Sequence, residues 1–213
     1  MNILFQSVVP VPLLESDYNQ SEVWGKKITF RENGKYLVLS PSGSGKSTLL
    51  SIIYGMRHDY TGQVLIDNGS IKNKSRKSWA QLRTSSLSIV FQGLNLFDEL
   101  TSLENIEIKN NLTHFKTRQQ IKLLCEKLQI SDFLTNKVAK LSFGQKQRVA
   151  IVRALCQPFH FLLLDEPFSH LDDENTQFAL KLIFEESQMQ GAGVILSSVG
   201  NRYDGIFQNI IRL

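Results

Sequence analysis

The 213-residue sequence predicts an α/β fold: a core on a mostly parallel sheet, an antiparallel β lobe and a helical insertion. Three observations carry this. Short, almost wholly apolar runs at 36–40, 87–91, 161–165 and 194–197 recur with helical stretches between them, as expected of strands covered on both faces. Segments 2–9, 23–31 and 62–67, the last followed by an Asn68-Gly69 turn, read instead as a small antiparallel sheet. Residues 101–140 are polar and helical. Within them Ile121, Leu124, Cys125 and Leu128 fall at i, i+3, i+4 and i+7, one face of an amphipathic helix.

These elements are expected to form one domain over 1–213, with a helical subdomain at about 101–156. A last strand is expected within 206–213, with no regulatory tail after it. Hydrophobic residues at 42% and charged residues at 21% exclude a disordered tail, a coiled coil or a collagen-like repeat. The net charge, 24 − 20 = +4, is compatible with a phosphate-rich ligand or an anionic membrane surface and decides neither. Cys125 and Cys156 are too few for a disulfide framework and are expected as buried thiols. The basic stretch 72–77 reads as a solvated surface loop.

No run approaches the roughly 18 consecutive apolar residues of a membrane span. The apolar start of the chain has no Lys or Arg before Lys26 and is broken by Gln6, Ser7, Pro10 and Pro12. A signal peptide is therefore not expected, and a cytosolic location is.

Residues 40–48, Ser-Pro-Ser-Gly-Ser-Gly-Lys-Ser-Thr, follow a predicted strand and precede the helical run 49–54. Strand, glycine loop, helix is the setting of a P-loop. Ser40, Pro41, Ser42, Gly43, Ser44, Gly45, Lys46, Ser47 and Thr48 are all candidates for cradling phosphate. Gly43 and Gly45 can take backbone angles closed to other residues, so successive N–H groups can point inward at phosphate oxygens. The helix N-terminus adds about 0.3–1 kcal/mol for a nearby anion. Lys46 brings an ammonium to the β- and γ-phosphates, and Ser47 a hydroxyl to Mg²⁺. The pattern departs at Ser40, where a first glycine would stand. A P-loop specifies phosphate and not the reaction. A nucleoside monophosphate kinase of this length could carry the same loop.

Residues 161–166, Phe-Leu-Leu-Leu-Asp-Glu, form an apolar strand ending in two carboxylates. Such a strand delivers Asp165 to the mouth of the sheet, where it can hold Mg²⁺ through water. Glu166 can then orient and polarise an attacking water. Upstream, Ser142 and Gln145 have the spacing of a capping box at a helix start.

That last segment, Leu141-Ser-Phe-Gly-Gln145 followed by Gln147-Arg148 and Arg153-Ala-Leu155, resembles the signature of the ATP-binding cassette (ABC) family. Ile89-Val-Phe-Gln92 resembles its Q-loop, Ser169-His-Leu-Asp172 its D-loop, and 61–67 the β-lobe segment after the P-loop helix. The resemblance spans residues 23–213 and implies the ABC ATPase fold with ATP and Mg²⁺ as cofactors. It implies that Ser142 and Gly144, with Gln145, bind the γ-phosphate of ATP on a second copy. It also implies that Gln92 reaches toward Mg²⁺ and the water, so that Glu166 and Gln92 are the expected catalytic residues and Ser47, Gln92 and Asp165 the expected metal contacts. The stretch 91–106, FQGLNLFDELTSLENI, is similar to the lipoprotein-release, macrolide-exporter and cell-division type. The partners so implied are a second ATPase copy and an integral membrane permease, with no nucleic acid. The chain would then lie on the cytoplasmic face of the cell membrane. The docking surface expected for the permease includes Leu94, Leu96, Phe97 and Leu100.

Besides Ser40, two positions depart from the family, and one aromatic is unassigned. Phe143 replaces the first glycine of the signature pair. Tyr18 is only a candidate for the aromatic that stacks on adenine. Val199 stands where a switch histidine is expected after the strand at 194–198. Losing one preorganised donor of that kind costs about 10²–10³ in turnover, so slow hydrolysis is expected, unless Ser197 or Ser198 reaches the phosphate. Two readings follow: an ATPase subunit driving a permease, or a degenerate, weakly hydrolysing cassette that binds ATP and gates or scaffolds a membrane partner.

Overall fold

Alternation along single strands divides the apolar residues between two cores. In the computed structural model, which describes residues 1–15, 17–200, 202–203 and 205–213, Phe161 and Leu163 face one core while Leu162 and Leu164 face the other. Tyr36 and Val38 are divided from Leu37 in the same way. Both faces of the sheet are thus covered, which is why its strands read as continuous apolar runs.

The strands are β1 (Asn2–Pro10), β2 (Lys27–Arg31), β3 (Lys35–Leu39), β4 (Tyr60–Ile66), β5 (Gly69–Ser70), β6 (Leu87–Val90), β7 (Phe161–Asp165), β8 (Gly193–Ser198) and β9 (Asn209–Arg212). The helices are α1 (Lys46–Ile53), α2 (Arg76–Ser85), α3 (Ser102–Asn110), α4 (Arg118–Lys127), α5 (Phe143–Leu155) and α6 (Asp173–Met189). A five-stranded sheet runs β6-β7-β8-β3-β9, each neighbouring pair parallel. A four-stranded sheet runs β2-β1-β4-β5 and is antiparallel. This is the α/β plan expected, with β9 as the last strand.

The antiparallel sheet bends at a register shift between Gln6 and Val9 of β1. Gly62 faces this bulge with φ +72°, and a Cβ there would lie 2.3 Å from the Ser7 carbonyl oxygen. Only glycine fits both demands.

Two segments differ from expectation. Residues 23–26 are not strand. Ser21 Oγ accepts from the Val23 and Trp24 N–H groups at 3.1 and 2.9 Å, and both side chains are buried. This local turn outcompetes β pairing until Lys27. The basic stretch 72–77 is only partly loop: Ser75 caps α2, accepting from the Ser78 N–H at 3.2 Å, so Arg76 and Lys77 are its first turn. Trp79 anchors that helix in the core. Cys125 and Cys156 are buried free thiols, and burial pushes each up to about 12.

The helical insertion is fixed to the sheet core by polar links. Asn105 accepts from the Phe97 N–H at 2.8 Å and donates to the Phe97 and Thr101 carbonyls at 3.0 Å each. Lys116, between α3 and α4, donates to Glu186 of α6 at 2.6 Å with both side chains nearly buried. Removing one partner of a buried pair leaves an uncompensated charge, at a cost of about 3–5 kcal/mol. Lys116→Ala should lower the denaturant midpoint accordingly and raise amide exchange in α3 and α4. An unchanged midpoint would show that the pair does not secure the insertion.

Candidate functional site

The loop between β3 and α1 takes its shape from two left-handed glycines, Gly43 at φ +86° and Gly45 at φ +97°. A Cβ on Gly45 would approach Trp24 at 3.1 Å and Leu13 at 3.2 Å, so the loop lies flush on the β lobe. The Trp24 indole N–H donates to the Ser44 carbonyl at 3.2 Å. Ser40, in place of the first glycine, is buried and donates its hydroxyl to the Leu213 carbonyl at 2.8 Å. That bond gives a small polar residue a reason to stand there.

Lys46 is 4% exposed. Its ammonium donates to the Ser40 and Pro41 carbonyls at 2.8 and 2.9 Å and lies 3.7 Å from the Glu166 carboxylate. A cleft of about 320 Å³ opens beside it. Ser42, Gly43, Gly45, Ser47 and Thr48 form its floor, Gln92 and Glu166 its polar side, and Pro10, Pro12 and Leu13 an apolar wall.

Asp165 and Glu166 sit at the end of β7, and Ser197 of β8 holds both. Its buried hydroxyl donates to Asp165 Oδ1 at 2.7 Å and accepts from the Glu166 N–H at 3.1 Å. The register that pairs Asp165 with Ser197 makes this contact unavoidable. Glu166 is in the left-handed region at φ +48°, a strained angle for a non-glycine residue of the kind that collects at functional sites. Val199 follows β8 directly, 50% exposed. With Ser197, Ser198 and Ser169 it lines a second cavity of about 230 Å³ that also touches Glu166. Ser197 is committed to the acidic pair; Ser198 is the hydroxyl lining this cavity beside Val199.

A second surface lies at the start of α5. Ser142 Oγ accepts from the Gln145 N–H at 3.3 Å, and Gln145 Oε1 accepts from the Ser142 N–H at 2.8 Å, so the expected capping box forms. Phe143 is 43% exposed and its ring lies against His170, centroids 4.1 Å apart. A Cβ on Gly144 would lie 3.0 Å from the His170 carbonyl oxygen. The chain does not bring Ser142, Gly144 or Gln145 to the walls of its own cleft.

Sequence reasoning missed the apolar wall and Arg57. The wall is a proline-rich corner with no phosphate motif. Arg57 lines the cleft, tied to Thr48 Oγ1 at 3.1 Å and to Asp59 at 2.7 and 2.9 Å; a lone arginine after a helix carries no signal. Tyr18 packs against the β-lobe core and does not line the cleft. Leu94 is buried in the other core and Leu96 packs on it. Of the four apolar residues after Gln92, only Phe97, at 57%, is strongly exposed.

A glycine loop between a parallel strand and a helix, facing a carboxylate pair two strands away at the same end of the sheet, defines a P-loop nucleoside triphosphatase. The ABC transporter family profile matches residues 25–169. The chain is 38% identical over 167 residues to the uncharacterized ABC transporter ATP-binding protein YvrO of Bacillus subtilis, covering 76% of this chain and 72% of that one. It is 30% identical over 175 residues to the lipoprotein-releasing system ATP-binding protein LolD of Legionella pneumophila, covering 81% and 77%. The dimeric structure of MJ0796, a bacterial ABC transporter cassette, superposes with a TM-score of 0.83 at 27% identity, over 99% of this chain and 94% of that one. The chain belongs to the ABC transporter family, as an ATPase subunit of the LolD type.

Ser197 is the positioning residue that the site's geometry singles out. Losing an outer-shell partner of this kind typically costs 10–100-fold in affinity or activity. Ser197→Ala should therefore reduce ATPase turnover by about 10–100-fold while leaving the thermal midpoint within a few degrees. Full turnover in steady-state assays would remove Ser197 from the site.

Proposed function

We propose that the chain hydrolyses Mg-ATP in composite sites between two copies and so drives a membrane permease. The whole of 1–213 acts as one ATPase domain, its helical subdomain at about 101–156. The observation that carries this reading is Lys46 facing Glu166 at 3.7 Å across the mouth of the glycine loop. A cation for the phosphates and a base for water thus stand within one phosphate's reach of each other.

Residues 40–48 cradle the phosphates through backbone N–H groups, with Lys46 on the β- and γ-phosphates. The apolar corner at Pro10, Pro12 and Leu13 takes the base in place of an aromatic. Ser47, Asp165 and Gln92 offer oxygen donors suited to a small hard cation. No group of three or more His, Cys, Asp and Glu able to hold a metal occurs among the described residues. Mg²⁺ would therefore be held jointly with the nucleotide's own oxygens, neutralising phosphate charge. Glu166 orients water for in-line attack on the γ-phosphorus; the bond to the ADP oxygen breaks and the water's proton passes to Glu166. Ser142 and Gly144 of the second copy close the site on the γ-phosphate, with Gln145 fixing the cap that presents them.

Among the described residues, no helix is long and apolar enough to cross a membrane. Docking on a permease at the cytoplasmic face of the membrane fits this, with Phe97 as the exposed apolar contact. Val199 supplies no hydrogen-bond donor, so a site completed only by its own chain turns over about 10²–10³ more slowly than one with a preorganised donor. That feature favours the second reading, an ATP-binding scaffold with little turnover. Steady-state hydrolysis at or below background, with the permease present, would select it.

Lys46→Ala removes the charged donor of the loop, and calorimetry should record at least a tenfold loss of Mg-ATP affinity. Retained affinity would sink the site assignment. Glu166→Gln keeps the site's shape without the base. Light scattering should then find a persistent dimer with ATP and a monomer without it, whereas no change in mass would count against the shared site.

A further inference from the structure

We infer that His170 is a catalytic residue in trans: its imidazole hydrogen-bonds the γ-phosphate bound by the second copy, supplying the donor that Val199 does not supply in that site. This rests on the shared-site reading above.

The ring is held on two sides, and its backbone by a third residue. Gln147 is buried and brackets the turn. Its Oε1 accepts from the His170 N–H at 3.2 Å, which orients the amide, and its Nε2 donates to Ser169 Oγ at 3.1 Å. Ser169 Oγ lies 2.9 Å from His170 Nδ1. The Ser169 hydroxyl can donate to Nδ1 in the tautomer that carries its proton on Nε2, and in that tautomer Nε2–H is left as a donor on an exposed side chain. Phe143 supplies the second side of the ring, 4.1 Å from the imidazole.

This bracket places His170 on the surface that presents Ser142 and Gly144. A Cβ on Gly144 would touch the His170 carbonyl oxygen at 3.0 Å, and Phe143 lies between the two signature residues in sequence. When Ser142 and Gly144 meet the γ-phosphate of the second copy, His170 arrives with them. It does not line the cavity beside its own Glu166, where Val199 stands; Ser169 does. The bulk of Phe143 then has a use that a glycine there could not serve, since it seats the ring. The Nε2–H donates to a γ-phosphate oxygen as charge builds in the transition state, and no bond to the ring forms.

Two mixed dimers test this, each a tandem fusion of two full-length chains joined by a flexible Gly/Ser linker, so that the copies stay paired without ATP. In the first, one copy carries Lys46→Ala and the other His170→Ala, so the surviving phosphate loop faces an intact His170. In the second, one copy carries both substitutions and the other is wild type, so the surviving loop faces alanine. Both hold the same two substitutions, which cancels any effect on folding. The second should turn over at least tenfold more slowly than the first, as for loss of a preorganised donor, at similar ATP affinity. Equal rates, or a slower first dimer, would overturn the role in trans. Failure of Glu166→Gln to dimerise with ATP would instead defeat the shared site itself, so the two failures are distinguishable.

Discussion

Parallel pairing is the constraint on which the site depends. Strands β3, β6, β7 and β8 run the same way in one sheet, so their carboxyl ends share one edge, where ligands of open α/β sheets bind. The glycine loop follows β3, Gln92 follows β6, the acidic pair ends β7 and Val199 follows β8. Four segments scattered over 160 residues of sequence (40–199) meet because a both-faces-buried sheet permits no other outlet. The register then sets the fine geometry: pairing Asp165 with Ser197 and Leu39 with Ser198 brings hydroxyl, carboxylates and phosphate loop to one level.

Much of this was legible in the residues because it was encoded locally. Continuous apolar runs marked the parallel strands, glycines and Lys46 marked the loop, and the Ser142–Gln145 spacing marked a cap that forms as expected. What escaped was encoded by distance. The sequence offers Ser197 only as a hydroxyl that could reach the phosphate, since its hold on Asp165 exists through a partner 32 residues away. The apolar wall comes from the proline-rich corner where β1 ends, a feature that no period in the sequence announces. Residues 23–26 continued a strand-like pattern but were claimed by the Ser21 hydroxyl. Leu94 looked like part of a docking groove and is core, because Arg153 donates to the Leu94 and Asn95 carbonyls at 2.5 and 2.6 Å and pins both residues in left-handed backbone.

That arginine shows how the polar interior is arranged. Burial holds Arg153 down to about 10, still charged at neutral pH, and its donors go to backbone carbonyls turned inward by strained residues. The strain at Leu94 and Asn95 is thereby offset by charge-assisted bonds. The turn after Gln92 keeps one shape, and Phe97 is presented outward from a fixed base. Glu166 has the same design on a smaller scale: an unfavourable angle, held by one hydroxyl at its N–H.

The seating of the glycine loop on Trp24 also gives the molecule an optical property. Indole emission depends on the hydrogen bond of its ring N–H and on the dipoles around it. Trp24 is 1% exposed, and its N–H is bound to the Ser44 carbonyl, within the glycine loop proposed to cradle the phosphates. The chain's other tryptophan, Trp79, lies against Gly55 and Arg83 in a different part of the β-lobe core. The wild-type chain therefore carries an intrinsic fluorophore hydrogen-bonded to its glycine loop, so a change in that loop's shape is a change in the surroundings of the indole.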